Sequence, residues 1–334
     1  MGATTGNARL RRIAAVGVAG AALVSGCAPA PSSPAPELGE VVSIGAGPDT
    51  LVLIPCMGCR WRSWDTFMER NDARFAMWAV TLPGFGGSPA PALPQYADAD
   101  EWHDHAARAV GAMLESEGLT NVTLVGHSFG AFVAAHVAAL YPGRVRGVVA
   151  LDSSVLSGAA RDPALAREIR EQYIEPLGDP DRWQEFNTPS IRDPDRRRLY
   201  HGWMMASDPI AVSQYWWGNL VHDERRTLEP LRVPILDVQA LTPGEDAAEA
   251  RSAFVERLRI ERLPRAYQAV FLPETPHFVM EEAPEELDEI LTHFVGRDDS
   301  EPFPPGAAGS DGLFHAPLAP GGRSFYFFRA APTG

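Results

Sequence analysis

The sequence predicts an α/β fold in which a mostly parallel sheet is flanked by helices and interrupted by a helical cap. Three observations carry this. From Leu51 onward, short apolar runs alternate with amphipathic stretches, as in a parallel sheet with crossover helices. One strand-to-helix junction carries G-x-S-x-G at Gly126–Gly130. Between Ser153 and Pro234 the strand pattern stops and charge-rich helical segments replace it.

Taken in order, apolar runs of strand length predict strands at Leu51–Ile54, Phe75–Thr81, Val122–Val125, Val145–Leu151, Ile235–Val238 and Gln268–Leu272. Helical periodicity or helix-forming composition predicts helices at Asp98–Glu117, Phe129–Leu140, Asp246–Arg262 and Pro284–Val295. The core is thus read as 40–152 and 231–296, with the cap as 153–230. Turn signals at Gly178-Asp179-Pro180 and Asp193-Pro194 punctuate the cap. It holds Trp183, Trp203, Trp216 and Trp217, four of the eight tryptophans, enough apolar bulk to cover a site or to fill the cap's own small core. Residues 297–334 form a Pro/Gly-rich tail in which Ser324–Phe328 either adds an edge strand or packs on the surface.

The first 26 residues have the form of a signal peptide: Arg9, Arg11 and Arg12, then an unbroken small or apolar run from Ile13 to Val24. That run is too short to span a bilayer. Val24-Ser25-Gly26-Cys27 resembles a bacterial lipobox, which implies acylation of Cys27, whereas an ordinary secretory signal would be cut after a small residue. Residues 27–39, with APAPSSPAP at 28–36, read as an extended tether. The expected location is the bacterial cell envelope.

Composition narrows the chemistry. All 29 basic residues are arginines, so the chain has no lysine for a Schiff base, a P-loop or a Ser-Lys pair. Cleavage before Cys27 leaves 26 arginines against 43 acidic residues, a net charge of −17, which disfavours nucleic acid and electrostatic adhesion to anionic lipid. Any membrane attachment is therefore expected through a lipid on Cys27. The two remaining cysteines, Cys56 and Cys59, either close a local disulfide or remain thiols; zinc would need two further ligands, and none stands at a matching spacing.

The junction Val122-Thr-Leu-Val-Gly126-His127-Ser128-Phe129-Gly130 is the sharpest motif. A turn this tight lifts Ser128 to a strained apex at the carboxyl edge of the sheet, and small residues at 126 and 130 allow the close passage. With LVLIPCMG at 51–58, LPGFGGSPAP at 82–91 and ETPHFVMEEAPEEL at 274–287, the chain resembles the α/β-hydrolase superfamily over roughly Leu51 to Val295. The resemblance implies Ser128 as nucleophile, His277 as general base, and the backbone N–H groups of Met57 and Phe129 as oxyanion donors. It implies no cofactor. An imidazole can take the serine proton near neutral pH and return it to the leaving group, so these roles make physical sense. His127, inside the elbow, points away from the hydroxyl and is read as structural.

The acid is open. No carboxylate stands where the superfamily usually has one, just after Ile235–Val238, since Gln239-Ala240-Leu241-Thr242-Pro243 follows. Asp246 begins a predicted helix, where a capping role is attractive. Asp152 ends the strand beside the nucleophile strand and is the preferred acid. Asp237 should lie within a strand. The superfamily's His-Gly before the oxyanion residue is absent here, but a backbone donor at Met57 survives that change. His103 and His105 are read as surface histidines, and Arg196-Arg197-Arg198 as a solvated helix face or a guide for an anionic substrate.

These residues point to a serine hydrolase acting on a carboxylic ester or related acyl bond of a small molecule with an apolar group. Amide or peptide cleavage uses the same chemistry. The alternative of another class is a cell-surface binding protein with impaired catalysis.

Overall fold

A computed structural model describes residues 11–13, 37–93, 99–153, 191–221, 227, 230–244, 249–250, 267–296, 313–317 and 324–329. Among the described residues, ten strands form one sheet: β1 (Arg11–Ile13), β2 (Val41–Ile44), β3 (Asp49–Ile54), β4 (Phe75–Val80), β5 (Val122–His127), β6 (Val145–Leu151), β7 (Ile235–Ala240), β8 (Tyr267–Leu272), β9 (Leu313–Pro317) and β10 (Ser324–Arg329). Their order is β1-β2-β4-β3-β5-β6-β7-β8-β10-β9. The six strands from β4 to β8 in that order are mutually parallel, while β1, β2, β10 and β9 pair antiparallel at the two sides.

The helices are α1 (Asp65–Asn71), α2 (Ala99–Ser116), α3 (Phe129–Leu140), α4 (Pro194–Met205), α5 (Pro209–Val221), α6 (Val279–Glu282) and α7 (Pro284–Gly296), with a 3-10 turn at Trp61–Trp64. The central strands read as continuous apolar runs because both faces are covered. Val52 and Ile54 of β3 join one buried cluster with residues of α2, α3 and α5; Leu51 and Leu53 join the other with residues of α1, α4, α6 and α7. Apart from His136, helix α3 is apolar on every side, and it is buried from Phe129 to Ala138, as its lack of a polar face requires.

All six strands predicted from the sequence are present, most with one or two residues added at an end. The predicted helices at 98–117, 129–140 and 284–295 are likewise present, whereas the one at 246–262 lies almost wholly outside the described residues. Outside the cap, β1, β2, the 3-10 turn, α1, α6 and β9 went unread, each three to seven residues long and too short to show a period. Of the alternatives for Ser324–Phe328, the edge strand is the one formed, with Tyr326 opposite Phe271 of β8.

Strand order fixes where a site can form. The chain enters the parallel part of the sheet at β3, leaves to one side for β4, and returns on the other side of β3 to form β5. The carboxyl ends of β3 and β5 therefore flank the point where the order reverses, the crevice that open α/β sheets use for ligands. Pro55–Met57 leaves one of these ends and Ser128 the other.

Candidate active site

Ser128 has φ 51° and ψ −119°, at the apex between β5 and α3. Both neighbouring glycines are needed for this corner. A Cβ on Gly126 would lie 2.2 Å from the Gly130 carbonyl oxygen, and one on Gly130 would lie 2.4 Å from the Ile54 oxygen and 2.6 Å from that of Pro55. The elbow thus presses directly on the end of β3. Its backbone is anchored on the other side, where the Ser128 N–H donates to the Leu151 carbonyl at 2.9 Å.

One residue beyond that carbonyl stands Asp152, also in the left-handed region with φ 40°. Its N–H donates to the Val238 carbonyl at 2.6 Å, and its Oδ1 accepts the Ala240 N–H at 3.0 Å. Its Oδ2 lies 2.6 Å from His277 Nδ1. A carboxylate only accepts, so the imidazole carries its hydrogen on Nδ1 and keeps a lone pair on Nε2. Asp237 is buried inside β7, where the Gln239 amide donates to it. Asp246 lies outside the described residues.

The loop carrying His277 follows β8 and is held at several points. The Thr275 N–H donates to the Leu241 carbonyl at 2.8 Å. His127 Nε2 lies 2.9 Å from the His277 carbonyl oxygen, and the two rings are 4.6 Å apart. Burial, reinforced by the neighbouring His277, pushes the His127 imidazolium well below its ordinary range, so His127 is neutral and donates through Nε2.

On the facing side, Met57 occupies the turn after β3, inside a loop closed by a Cys56–Cys59 disulfide. The Cys59 N–H donates to the Cys56 carbonyl at 3.0 Å, and Gly58 takes φ 68°. No carbonyl among the described residues accepts from the Met57 amide. The Phe129 amide opens α3, where a helix leaves its first N–H groups without intrahelical carbonyls and its dipole favours negative charge.

The cap meets this machinery through α4. Arg196, read from sequence as part of a solvated face, is instead largely buried, its side chain 19% exposed. Its Nε donates to Glu281 Oε1 at 3.0 Å and its Nη2 to Asp65 Oδ1 at 3.0 Å. Burial opposes the charge, but the hydrogen bond and charge of Glu281 outweigh it and hold the guanidinium above its ordinary range. Arg198 remains exposed as expected. His103 also departs from expectation: it is fully buried, its ring 5.7 Å from Phe129 and stacked at 6.3 Å on Phe132. Burial follows from its place on the inner side of α2, which the i, i+2 spacing to His105 did not reveal.

A strained serine corner between strand and helix on a doubly covered parallel sheet, with an imidazole and carboxylate joined at the same rim, is the architecture of α/β hydrolases. The chain belongs to the alpha/beta hydrolase family, whose model matches residues 51–290. It is 29% identical over 270 residues to a pimeloyl-(acyl-carrier protein) methyl ester esterase of Aeromonas hydrophila subsp. hydrophila, covering 77% of this chain and 99% of that protein. It is 26% identical to the biotin biosynthesis bifunctional protein BioHC of Cellvibrio japonicus, covering 73% of this chain but 47% of that longer protein. Among solved structures, a hydrolase from Pseudomonas aeruginosa superposes with TM-score 0.62 at 18% identity, covering 77% of this chain and 95% of that one.

Proposed function

We propose that this protein is a serine hydrolase that cleaves a carboxylic ester of a small molecule through an acyl-enzyme on Ser128. The observation that carries the reading is the 2.6 Å contact between His277 Nδ1 and Asp152 Oδ2, on the rim where Ser128 stands at a strained apex. Asp152 fixes the tautomer, so Nε2 of His277 takes the Ser128 proton as the hydroxyl attacks the acyl carbon. The resulting oxyanion is received by the Met57 and Phe129 amides, and His277 returns the proton to the departing alcohol. Water then repeats the sequence to release the acid.

The esterase similarity favours esters over amides. The binding-protein reading drew on the missing acid after β7 and the altered His-Gly segment; the carboxylate beside His277 weighs against the first of these. The test is labelling by a fluorophosphonate. Stoichiometric adduct on Ser128 is expected in folded protein and none after Ser128→Ala; an unlabelled parent sinks the reading.

We also propose export to the cell envelope with lipid attachment at Cys27. Cleavage there would remove β1 and leave β2 as the edge of the sheet. Cys27→Ala is then expected to move the protein from the membrane fraction to the soluble one, and unchanged membrane association would discard the lipid anchor.

A further inference from the structure

We infer that helix α4 of the cap is a brace for the catalytic machinery, holding the general-base loop at one end through Arg196 and the oxyanion loop at the other through Ser207. The inference rests on the serine mechanism proposed above, and it assigns these two residues a positioning role.

At the amino end of α4, contacts run in sequence from cap to imidazole. Arg196 donates to Glu281 of α6, the residue four places after His277, and the Tyr200 hydroxyl donates to the same carboxylate oxygen at 2.8 Å. The Tyr200 ring lies 4.8 Å from that of Phe278, which in turn is 5.2 Å from His277. Arg192, just before the helix, adds a donor to the Glu274 carbonyl at 2.9 Å, and its backbone N–H donates to Glu282 at 2.6 Å. The histidine loop is therefore gripped on both sides of His277. Arg196 also reaches Asp65 of α1, which ties the grip to the core rather than to the cap alone.

The carboxyl end of the same helix reaches the opposite wall of the site. Met204 lies over Gly58, where a Cβ would come within 3.2 Å of the Met204 Cγ. Ser207 Oγ accepts the Gly86 N–H at 2.8 Å and offers its hydrogen to the Gly58 carbonyl at 3.2 Å and the Trp203 carbonyl at 3.0 Å. Gly58 is the residue after Met57, so this bond fixes the oxyanion loop two peptides from its donor. A helix of 12 residues is about 18 Å long and stiff, so a tilt that loosens one end displaces the other.

The consequence is that seating of the cap and alignment of the catalytic groups are one event. Arg196→Met is expected to lower kcat for a p-nitrophenyl ester about 10- to 100-fold with KM within about twofold, the scale of a small misplacement of a catalytic group. The downfield proton resonance of the His277 Nδ1–H bound to Asp152 should broaden or vanish. Arg196→Lys, which keeps a cation within reach of one carboxylate, should recover the resonance and most of kcat. Ser207→Ala should weaken binding of a boronic acid, which presents a tetrahedral oxyanion, about 3- to 10-fold while KM holds, and through the stiff helix should also broaden the resonance.

Parental kcat, resonance and boronate affinity in these variants, with only the unfolding midpoint lowered, would reduce α4 to structural glue and overturn the inference. Should Arg196→Met fail to fold, Glu281→Gln reads the same end with an isosteric neutral partner. The two failures stay distinct: a parent that takes no fluorophosphonate overturns the serine reading, whereas the Nδ1–H resonance needs no turnover and still reports on the brace.

Discussion

Asp152→Asn is expected to lower kcat about 10⁴-fold, by the same tautomer logic that governs triad acids, while Asp246→Asn stays near the parental rate. The direction follows from the hydrogen bonds Asp152 makes. Its Oδ1 accepts the Ala240 N–H at 3.0 Å, and Oδ2 faces His277 Nδ1 at 2.6 Å. In the variant the carboxamide oxygen keeps the Ala240 donor, because the NH₂ group cannot accept from it. The NH₂ group is then turned toward the imidazole, Nδ1 must accept, and the hydrogen moves to Nε2, the nitrogen required as base. Folding should survive, since asparagine, like aspartate, tolerates the φ of 40° at this position better than most residues with a side chain. Steady-state kinetics with the unfolding midpoint as control decide the matter; a large loss in Asp246→Asn with a parental Asp152→Asn would move the acid to 246.

How much was legible beforehand varies with the physics of each feature. The central strands were readable because burial on both faces turns them into unbroken apolar runs, of which Val145–Leu151 is recovered residue for residue. Strand β2 was not, since four residues carry no period, and its place in the sheet comes from pairing with β4. The elbow was readable because sterics demand glycine on both sides of Ser128, and a local rule leaves a local signature. The Asp152–His277 contact joins residues 125 apart, so sequence narrowed the acid to two candidates and the strand register brought one of them to the histidine. Arg196 was legible only as a charge. Its partners Asp65 and Glu281 lie far away in the chain, and nothing in an Arg-Arg-Arg run distinguishes the arginine that turns inward.

Ser128→Gly is expected to abolish turnover, by about 10⁶-fold as for loss of a nucleophile in a triad, and at the same time to raise the stability of the fold by about 1–3 kcal/mol. The two effects share one cause. At φ 51° and ψ −119°, an L residue crowds its Cβ against its own backbone, whereas glycine occupies the mirror-image region without that cost. The corner is held there from outside: the Gly126 and Gly130 contacts leave no room to relax, and the bond from Ser128 N–H to Leu151 pins the apex to β6. Ser128→Ala separates the contributions. It removes the hydroxyl but keeps the Cβ, so it should lose the same activity with no comparable gain in stability. Equilibrium denaturation of parent, Ser128→Ala and Ser128→Gly reads the strain as the difference between the two variants plus the ~0.5–1 kcal/mol that glycine loses in chain entropy. A glycine variant less stable than the alanine one by the ~0.5–1 kcal/mol that glycine loses in chain entropy would mean that the apex stores no strain, and that Ser128 is exposed by the course of the chain alone.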